Sequence, residues 1–139
     1  MAFLPQSYRD GQPEPWEYLE TSAIGTCSVG LALTLTSGKL AKATGTTRPD
    51  YISMYAGTVA AGDKIPVIRV HEETIFETEW SAANSGAAVG AAVTIDTTGT
   101  KATATTTGGV FEITGFAGTA AGDKCRGRFV RPATATASS

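Results

Sequence analysis

Short runs in which apolar and polar residues alternate dominate the chain from about residue 22 onward. Leucines alternate with Ala or Thr over 31–36, a Ser-Gly-Lys turn follows over 37–39, and a second run occupies 40–43. Further runs of this kind occupy 51–55, 64–70 and 74–80. Alternation with a period of two is typical of half-buried strands, and no window of a dozen residues follows the helical period. The pattern predicts an all-β protein.

The order of strands and turns recurs about 60 residues later. The sequence Ala-Ala-Gly-Asp-Lys stands at 60–64 and again at 120–124. The repeat predicts two halves of about 60 residues, 31–80 and 91–131. Because one half alone would bury little apolar surface, we expect both halves to share one core, as a small β-barrel or sandwich over 22–131.

Glycine and aspartate mark the turns between these strands. Glycine adopts positive φ without steric cost, and an aspartate side chain accepts hydrogen bonds from nearby backbone N–H groups. The repeated Ala-Ala-Gly-Asp-Lys turns lack the ladder of acidic residues of a calcium loop. We therefore expect structural turns at Gly38, Gly62, Asp63, Gly99, Gly122 and Asp123.

The first 21 residues differ from the rest. They contain three of the six prolines and four of the eleven aromatic residues, and their charges sum to −3. Prolines at this density predict an extended arm over 1–21. Aromatic burial alone does not offset the entropy of ordering the arm, so it needs backbone pairing or a partner surface. We expect the domain to fold without residues 1–20.

The small, polar residues 132–139 predict a flexible tail.

Composition excludes some functions. The 139 residues include 22 Ala, 22 Thr and 16 Gly, and the formal net charge is −2. This charge argues against a general grip on nucleic acid, and the sequence has neither a signal peptide nor an apolar membrane span. We expect a protein that is made and kept soluble in the cytoplasm.

Few residues carry candidate chemistry. Cys27 and Cys125 have neither zinc-site nor redox spacing, which favours two buried small hydrophobes. His71 lacks a nucleophile motif and is predicted to be a solvated loop residue. Glu77 and Glu79 lie on one strand face at a spacing that paired-carboxylate hydrolysis could use, but they are better explained as charges that keep an apolar strand soluble. The sequence thus predicts no catalytic residue, no metal and no cofactor.

A basic cluster lies near the C-terminus, at Lys124, Arg126, Arg128 and Arg131. It lacks the interleaved aromatic residues of single-strand nucleic-acid sites. A neighbour's acidic arm or another acidic protein surface is an equally good partner.

Several segments resemble the small head decoration (capsid cement) proteins of tailed bacteriophages. The resemblance rests on SGKLAKATG at 37–45, YISM at 51–54, AAGDKIPVIRV at 60–70, TIFET at 74–78 followed by Trp80-Ser81, and the second Ala-Gly-Asp turn leading to Arg128-Phe129. It covers about residues 37–130 and does not include the N-terminal arm.

This resemblance implies a non-enzymatic virion protein that binds the outside of an assembled capsid. It would clamp neighbouring major capsid subunits, with further copies of itself as partners and a trimer as one compatible arrangement. It implies no direct contact with nucleic acid or membrane. We expect the arm to anchor on the capsid or an adjacent copy through Phe3, Leu4, Tyr8, Trp16, Tyr18 and Leu19.

Two alternatives stay open at this point. One is a carbohydrate- or receptor-binding β module of a phage tail fibre, in which Trp80 with Glu77 and Glu79 would bind sugar. The other is an enzyme that uses His71, Glu77 and Glu79.

Overall fold

The computed structural model of the chain describes residues 3–7 and 15–131. Within these residues the secondary structure consists of strands, with no helix. The strands are β1 (Leu4–Ser7), β2 (Glu17–Glu20), β3 (Gly25–Cys27), β4 (Ala32–Thr36), β5 (Lys39–Lys42), β6 (Tyr51–Ser53), β7 (Gly57–Val59), β8 (Lys64–Arg69), β9 (Ile75–Glu79), β10 (Ala92–Val93), β11 (Phe111–Phe116) and β12 (Lys124–Phe129). The predicted all-β class is confirmed.

The strands form two five-stranded antiparallel sheets in a sandwich-like arrangement rather than a closed barrel. The N-terminal sheet has the order β2-β8-β6-β4-β5, and the C-terminal sheet has the order β1-β9-β12-β11-β10. A separate pair, β3 with β7, completes the structure. No helix in the described part of the chain is long and apolar enough to cross a membrane.

The two sheets are copies of one motif. Strands β6 and β8 of the N-terminal sheet correspond to β11 and β12 of the C-terminal sheet, with Tyr51 and Phe111 as equivalent first residues. The repeat also includes strands β2 and β9, since Glu17 faces Val67 in one sheet and Phe76 faces Gly127 in the other. The repeating unit therefore begins at β2, within the predicted arm, and not near residue 31.

The N-terminal sheet lies between two cores. On one face, Leu33, Tyr51 and Val67 pack into a cluster that contains only residues of the first unit. On the other face, Ile52 and Ile68 belong to a larger cluster built mainly from the second unit. The two units are joined because alternate residues along the strands point into different cores.

The C-terminal sheet has one buried face and one charged face. Its inward residues include Phe111 and Phe129, while Glu77 and Glu112 alternate with them and point outward. Arg126 Nε lies 3.2 Å from Glu77 Oε2, and Arg128 Nε lies 2.6 Å from Glu112 Oε1. Such cross-strand ion pairs support a sheet face that stays in contact with water.

The described part of residues 1–21 belongs to the domain instead of forming a separate arm. Strand β1 pairs with β9 at one sheet edge, and β2 pairs with β8 at an edge of the other sheet. Backbone pairing thus supplies the ordering energy that the aromatic residues alone do not provide. The predicted tail, 132–139, lies outside the described residues.

Candidate docking surface

Phe3 does not serve as an external anchor. Its ring is completely buried and contacts two core rings edge-on, with centroid distances of 5.2 Å to Phe111 and 5.0 Å to Phe129. Its backbone N–H donates a hydrogen bond of 3.0 Å to the Gly30 carbonyl. The expectation that Phe3 binds a capsid or neighbour is therefore replaced by a role in the protein's own core.

The other predicted anchors divide into two groups. Leu4 lies half-buried on β1, and Leu19 packs half-buried against the core of the first unit. Trp16 and Tyr18 are 56% and 62% exposed. Tyr8 lies outside the described residues. The structure therefore leaves two aromatic side chains of the predicted set, Trp16 and Tyr18, available to a partner.

These two aromatic residues lie on a sheet edge whose equivalent in the second unit is covered by a strand. In the C-terminal sheet, β1 pairs with the outer edge of β9 over Ile75–Glu77. The repeat places residues 16–18 at the equivalent position, where no strand of the described chain pairs with the outer edge of β2. We call this segment, 16–18, the open edge.

The open edge is limited at its end. Just beyond β2, the Ser22 N–H donates to the Leu40 carbonyl at 2.9 Å, which joins the chain to β5. The equivalent Ser81 N–H donates to the Ala102 carbonyl at 2.8 Å in the other unit. The two units thus share this closure, and they differ at the stretch that β1 covers in only one of them.

Sequence reasoning identified the exposed aromatic residues but not the open edge. Strands β2 and β9 lie 59 residues apart in the repeat and share one identical residue, Glu20 with Glu79. The sequence therefore contained only a weak indication that β2 and β9 are equivalent, because the two strands correspond in backbone pairing and not in sequence.

The predicted carbohydrate site loses its aromatic platform. Trp80 is completely buried, and its Nε1 donates a 2.9 Å hydrogen bond to the Gly118 carbonyl. A buried indole cannot stack on a sugar. Glu77 is paired with Arg126, and Lys101 Nζ lies 3.3 Å from Glu79 Oε1, so both carboxylates have cationic partners.

The remaining candidate residues have structural surroundings. His71 lies in the loop between β8 and β9, as predicted, where it is half-buried and has interaction partners. In the basic cluster, Arg126 and Arg128 pair with glutamates of neighbouring strands. The hydrogen bond that Arg128 donates to the Glu112 carboxylate raises the pKa of Arg128. Among the described residues, no group of three or more His, Cys, Asp or Glu side chains could hold a metal ion.

Both cysteines are free and buried. Burial raises the pKa of each thiol, that of Cys125 to about 12. The Cys27 Sγ lies 3.1 Å from the Ser53 Oγ, within hydrogen-bond distance. High pKa and burial both oppose thiolate chemistry, so these residues act as core groups.

The predicted turn residues lie in turns of the expected type. All four glycines have positive φ, between 76° and 91°: Gly38, Gly62, Gly99 and Gly122. Asp63 and Asp123 each accept a hydrogen bond through Oδ2 from the N–H three residues earlier, at 2.9 and 3.0 Å. Gly99 also lies where the units meet, since a Cβ there would be 3.1 Å from Leu31 Cδ1.

Comparisons of the chain with protein-family models, with curated proteins and with solved structures found no match.

Proposed function

We propose that this protein is a structural component of a tailed-phage virion that binds the outer surface of an assembled capsid. In this role it stabilises contacts between major capsid subunits. The observation that carries the proposal is the open edge, where Trp16 and Tyr18 are exposed beside an unpaired stretch of β2. The resemblance of residues 37–130 to head decoration proteins is the reason for naming an assembled phage capsid as the partner.

An open strand edge suits a protein partner. Unpaired backbone N–H and C=O groups accept an added strand, and flanking aromatic side chains bury large areas at low cost in conformational entropy. β1 demonstrates this pairing on the equivalent edge of the second unit. One such contact is small, but copies repeated over a capsid lattice stabilise the assembled state because they bind that state preferentially.

The proposal includes several expectations. The partners are the major capsid protein and other copies of this chain, and a trimer is one compatible assembly. The protein acts without a cofactor, is not an enzyme and does not contact nucleic acid or membrane directly. It is located on the outer capsid surface after synthesis in the host cytoplasm.

The first experiment is the copy number of the protein in purified mature virions, measured by quantitative mass spectrometry. A shell protein is present in hundreds of copies per particle. A handful of copies favours a tail component, and absence from the particles contradicts the proposal.

The second experiment tests the open edge with the full-length chain. A Trp16→Ala, Tyr18→Ala double variant should lose most of its occupancy on capsids that lack the protein, while its unfolding free energy stays near that of the wild type. Val89→Ala is the matched control, because Val89 is 67% exposed and lies in the second unit. Full occupancy by the double variant excludes the open edge as the docking site.

A further inference from the structure

An open depression of about 350 Å³ lies at one end of the N-terminal sheet. It is formed where β4 and β8 end and β6 begins, so three separate segments of the chain contribute to it. We call it the Arg48 pocket, and it is lined by Leu35, Arg48, Asp50, Tyr51, Arg69 and Val70.

One wall already binds a carboxylate of this chain. Arg69 Nε and Nη2 donate to the two carboxylate oxygens of Glu17 at 3.3 and 3.2 Å. The guanidinium carbon lies 5.1 Å from the centroid of the Tyr51 ring, within cation–π range. This forked geometry is the one that arginine uses for planar anions, so the surface is suited to carboxylates.

Arg48 has the same donors but no such partner. Its Nε is buried and has no hydrogen-bond acceptor. No carboxylate of the described residues forms an ion pair with Arg48, and Asp50 uses its Oδ2 to accept hydrogen bonds from Thr34 Oγ1 and Leu35 N at 3.1 and 3.0 Å. A buried donor without an acceptor is costly and calls for a ligand atom.

The apolar residues that line the pocket indicate what kind of anion it binds. Leu35 is 40% exposed, and the Tyr51 ring and Val70 border the same space. A hydrated inorganic anion gains nothing from apolar walls, whereas a carboxylate on a short aliphatic stem buries its methylenes against them.

We propose that the Arg48 pocket binds a glutamate side chain presented by an extended segment of a partner protein. Arg48 would take the carboxylate, while Leu35 and Tyr51 contact the stem and a neighbouring apolar residue. This inference does not depend on the partner being a capsid.

The test is a titration of the full-length, ¹⁵N-labelled protein followed by NMR at the Arg48 Nε–Hε resonance. The probe is the peptide acetyl-Gly-Leu-Glu-Gly-amide, and the comparison probes are its Gln counterpart and inorganic phosphate. We expect saturable shifts of the Arg48 signal with the Glu peptide, with a Kd of the order of 1 mM, and binding at least about tenfold weaker for the Gln peptide.

Variants make the assignment specific. Arg48→Gln should weaken binding of the Glu peptide by about tenfold or more, and Arg48→Lys should weaken it less because the charge remains while the fork is lost. Arg131→Gln, which removes an exposed arginine outside the pocket, should leave binding unchanged. Backbone spectra show whether each variant is folded.

Three outcomes overturn the proposal. The first is an Arg48 signal that does not respond to the Glu peptide. The second is equal binding by folded Arg48→Gln protein. The third is binding of phosphate as tight as that of the peptide, which would show a general anion site in place of a glutamate site.

Discussion

Thr21 and Trp80 occupy the same position in the two units, directly after the equivalent strands β2 and β9, and each is hydrogen-bonded to an Ala-Ala-Gly-Asp turn. The Thr21 N–H donates to the turn carbonyl at 2.9 Å, and its own carbonyl accepts from the turn glycine at 2.7 Å. Trp80 makes the same two bonds in the second unit, at 3.0 and 2.9 Å. One backbone motif thus holds a polar side chain in one unit and the largest core side chain in the other.

Replacing Trp80 should therefore be far more damaging than replacing the other tryptophan. Trp80→Ala removes a buried indole and its hydrogen bond to Gly118, at a cost of about 3–5 kcal/mol of unfolding free energy. Trp16→Ala, at an exposed position, should change stability by less than about 0.5 kcal/mol. Urea unfolding followed by circular dichroism measures both, and equal midpoints would contradict the assigned environments.

The N-terminal segment should contribute to folding through Phe3. Phe3→Ala leaves a cavity beside the two core rings of Phe111 and Phe129 and should cost about 3–5 kcal/mol, whereas Tyr18→Ala should be nearly neutral. Removal of residues 1–20 deletes Phe3, β1 and β2 together, so we now expect the truncated chain to lose cooperative unfolding. A truncated protein with wild-type thermal stability would show that this segment is dispensable.

A side chain at the glycine of the repeated turn should strain the backbone. Gly122 has φ of +88°, and a Cβ there would meet nothing within 4 Å, so the cost of Gly122→Ala is backbone strain alone, about 1–2 kcal/mol. Gly86 is equally open but lies outside the left-handed region, so Gly86→Ala is the matched control and should be neutral. Comparable losses in the two variants would refute the strain argument.

Stability should fall in alkaline solution because of Cys125. Burial raises the pKa of this thiol from 9.0 to about 12, and Glu77 and Glu79 add to the effect. The unfolded thiol therefore loses its proton near pH 9 while the folded one keeps it, so the folded state is favoured below pH 9 and loses this advantage as pH rises towards 12.

The contribution of the Cys125 thiol to this pH dependence can be measured by comparing the wild type with Cys125→Ala. Between about pH 8 and about pH 10.5, wild-type unfolding free energy should drop by about 2 kcal/mol more than that of Cys125→Ala, at about 1.4 kcal/mol per unit above the unfolded pKa. Other titrating groups are common to both proteins and cancel in the comparison. Parallel pH profiles would show that the thiol does not contribute.

Two buried threonines should respond in opposite directions to the same substitution. Thr74 Oγ1 is buried with no hydrogen-bond partner, so Thr74→Val should stabilise the protein by about 1 kcal/mol. Thr78 Oγ1 donates a 2.7 Å hydrogen bond to the Thr100 carbonyl, so Thr78→Val should destabilise it by about 1–3 kcal/mol. Thermal unfolding of both variants decides the point, and a loss of stability in Thr74→Val would be inconsistent with an unsatisfied hydroxyl.

Local chemistry made part of the fold predictable. The Ala-Ala-Gly-Asp sequence determines its own turn, because glycine provides positive φ and the aspartate caps an N–H within three residues. Alternation in 31–36 and 64–70 likewise indicated β4 and β8. Turns and alternating strands depend on residues that are close together in the chain, so both can be recognised from the sequence alone.

Long-range pairing was not predictable in the same way. The arm looked separate because Pro5 and the charges at 17 and 20 are typical of exposed chain, yet Pro5 lies on an edge strand, where its missing N–H costs little. The carbohydrate-binding alternative required an exposed Trp80, but alternation along the strand places Trp80 on the inward face. The Arg48 pocket had no sequence signal, since distant segments form it.

The charged outer face of the C-terminal sheet limits how far this architecture can be extended. Ile52 and Ile68 attach the first unit to the second, and the equivalent positions in the second unit are Glu112 and Arg128, which pair with each other. Stacking a third unit there would require dehydrating that ion pair without replacing it. A further unit could therefore stack on this face only if these two positions became apolar, so the Glu112–Arg128 ion pair keeps the outer face of the second unit from acting as a stacking surface.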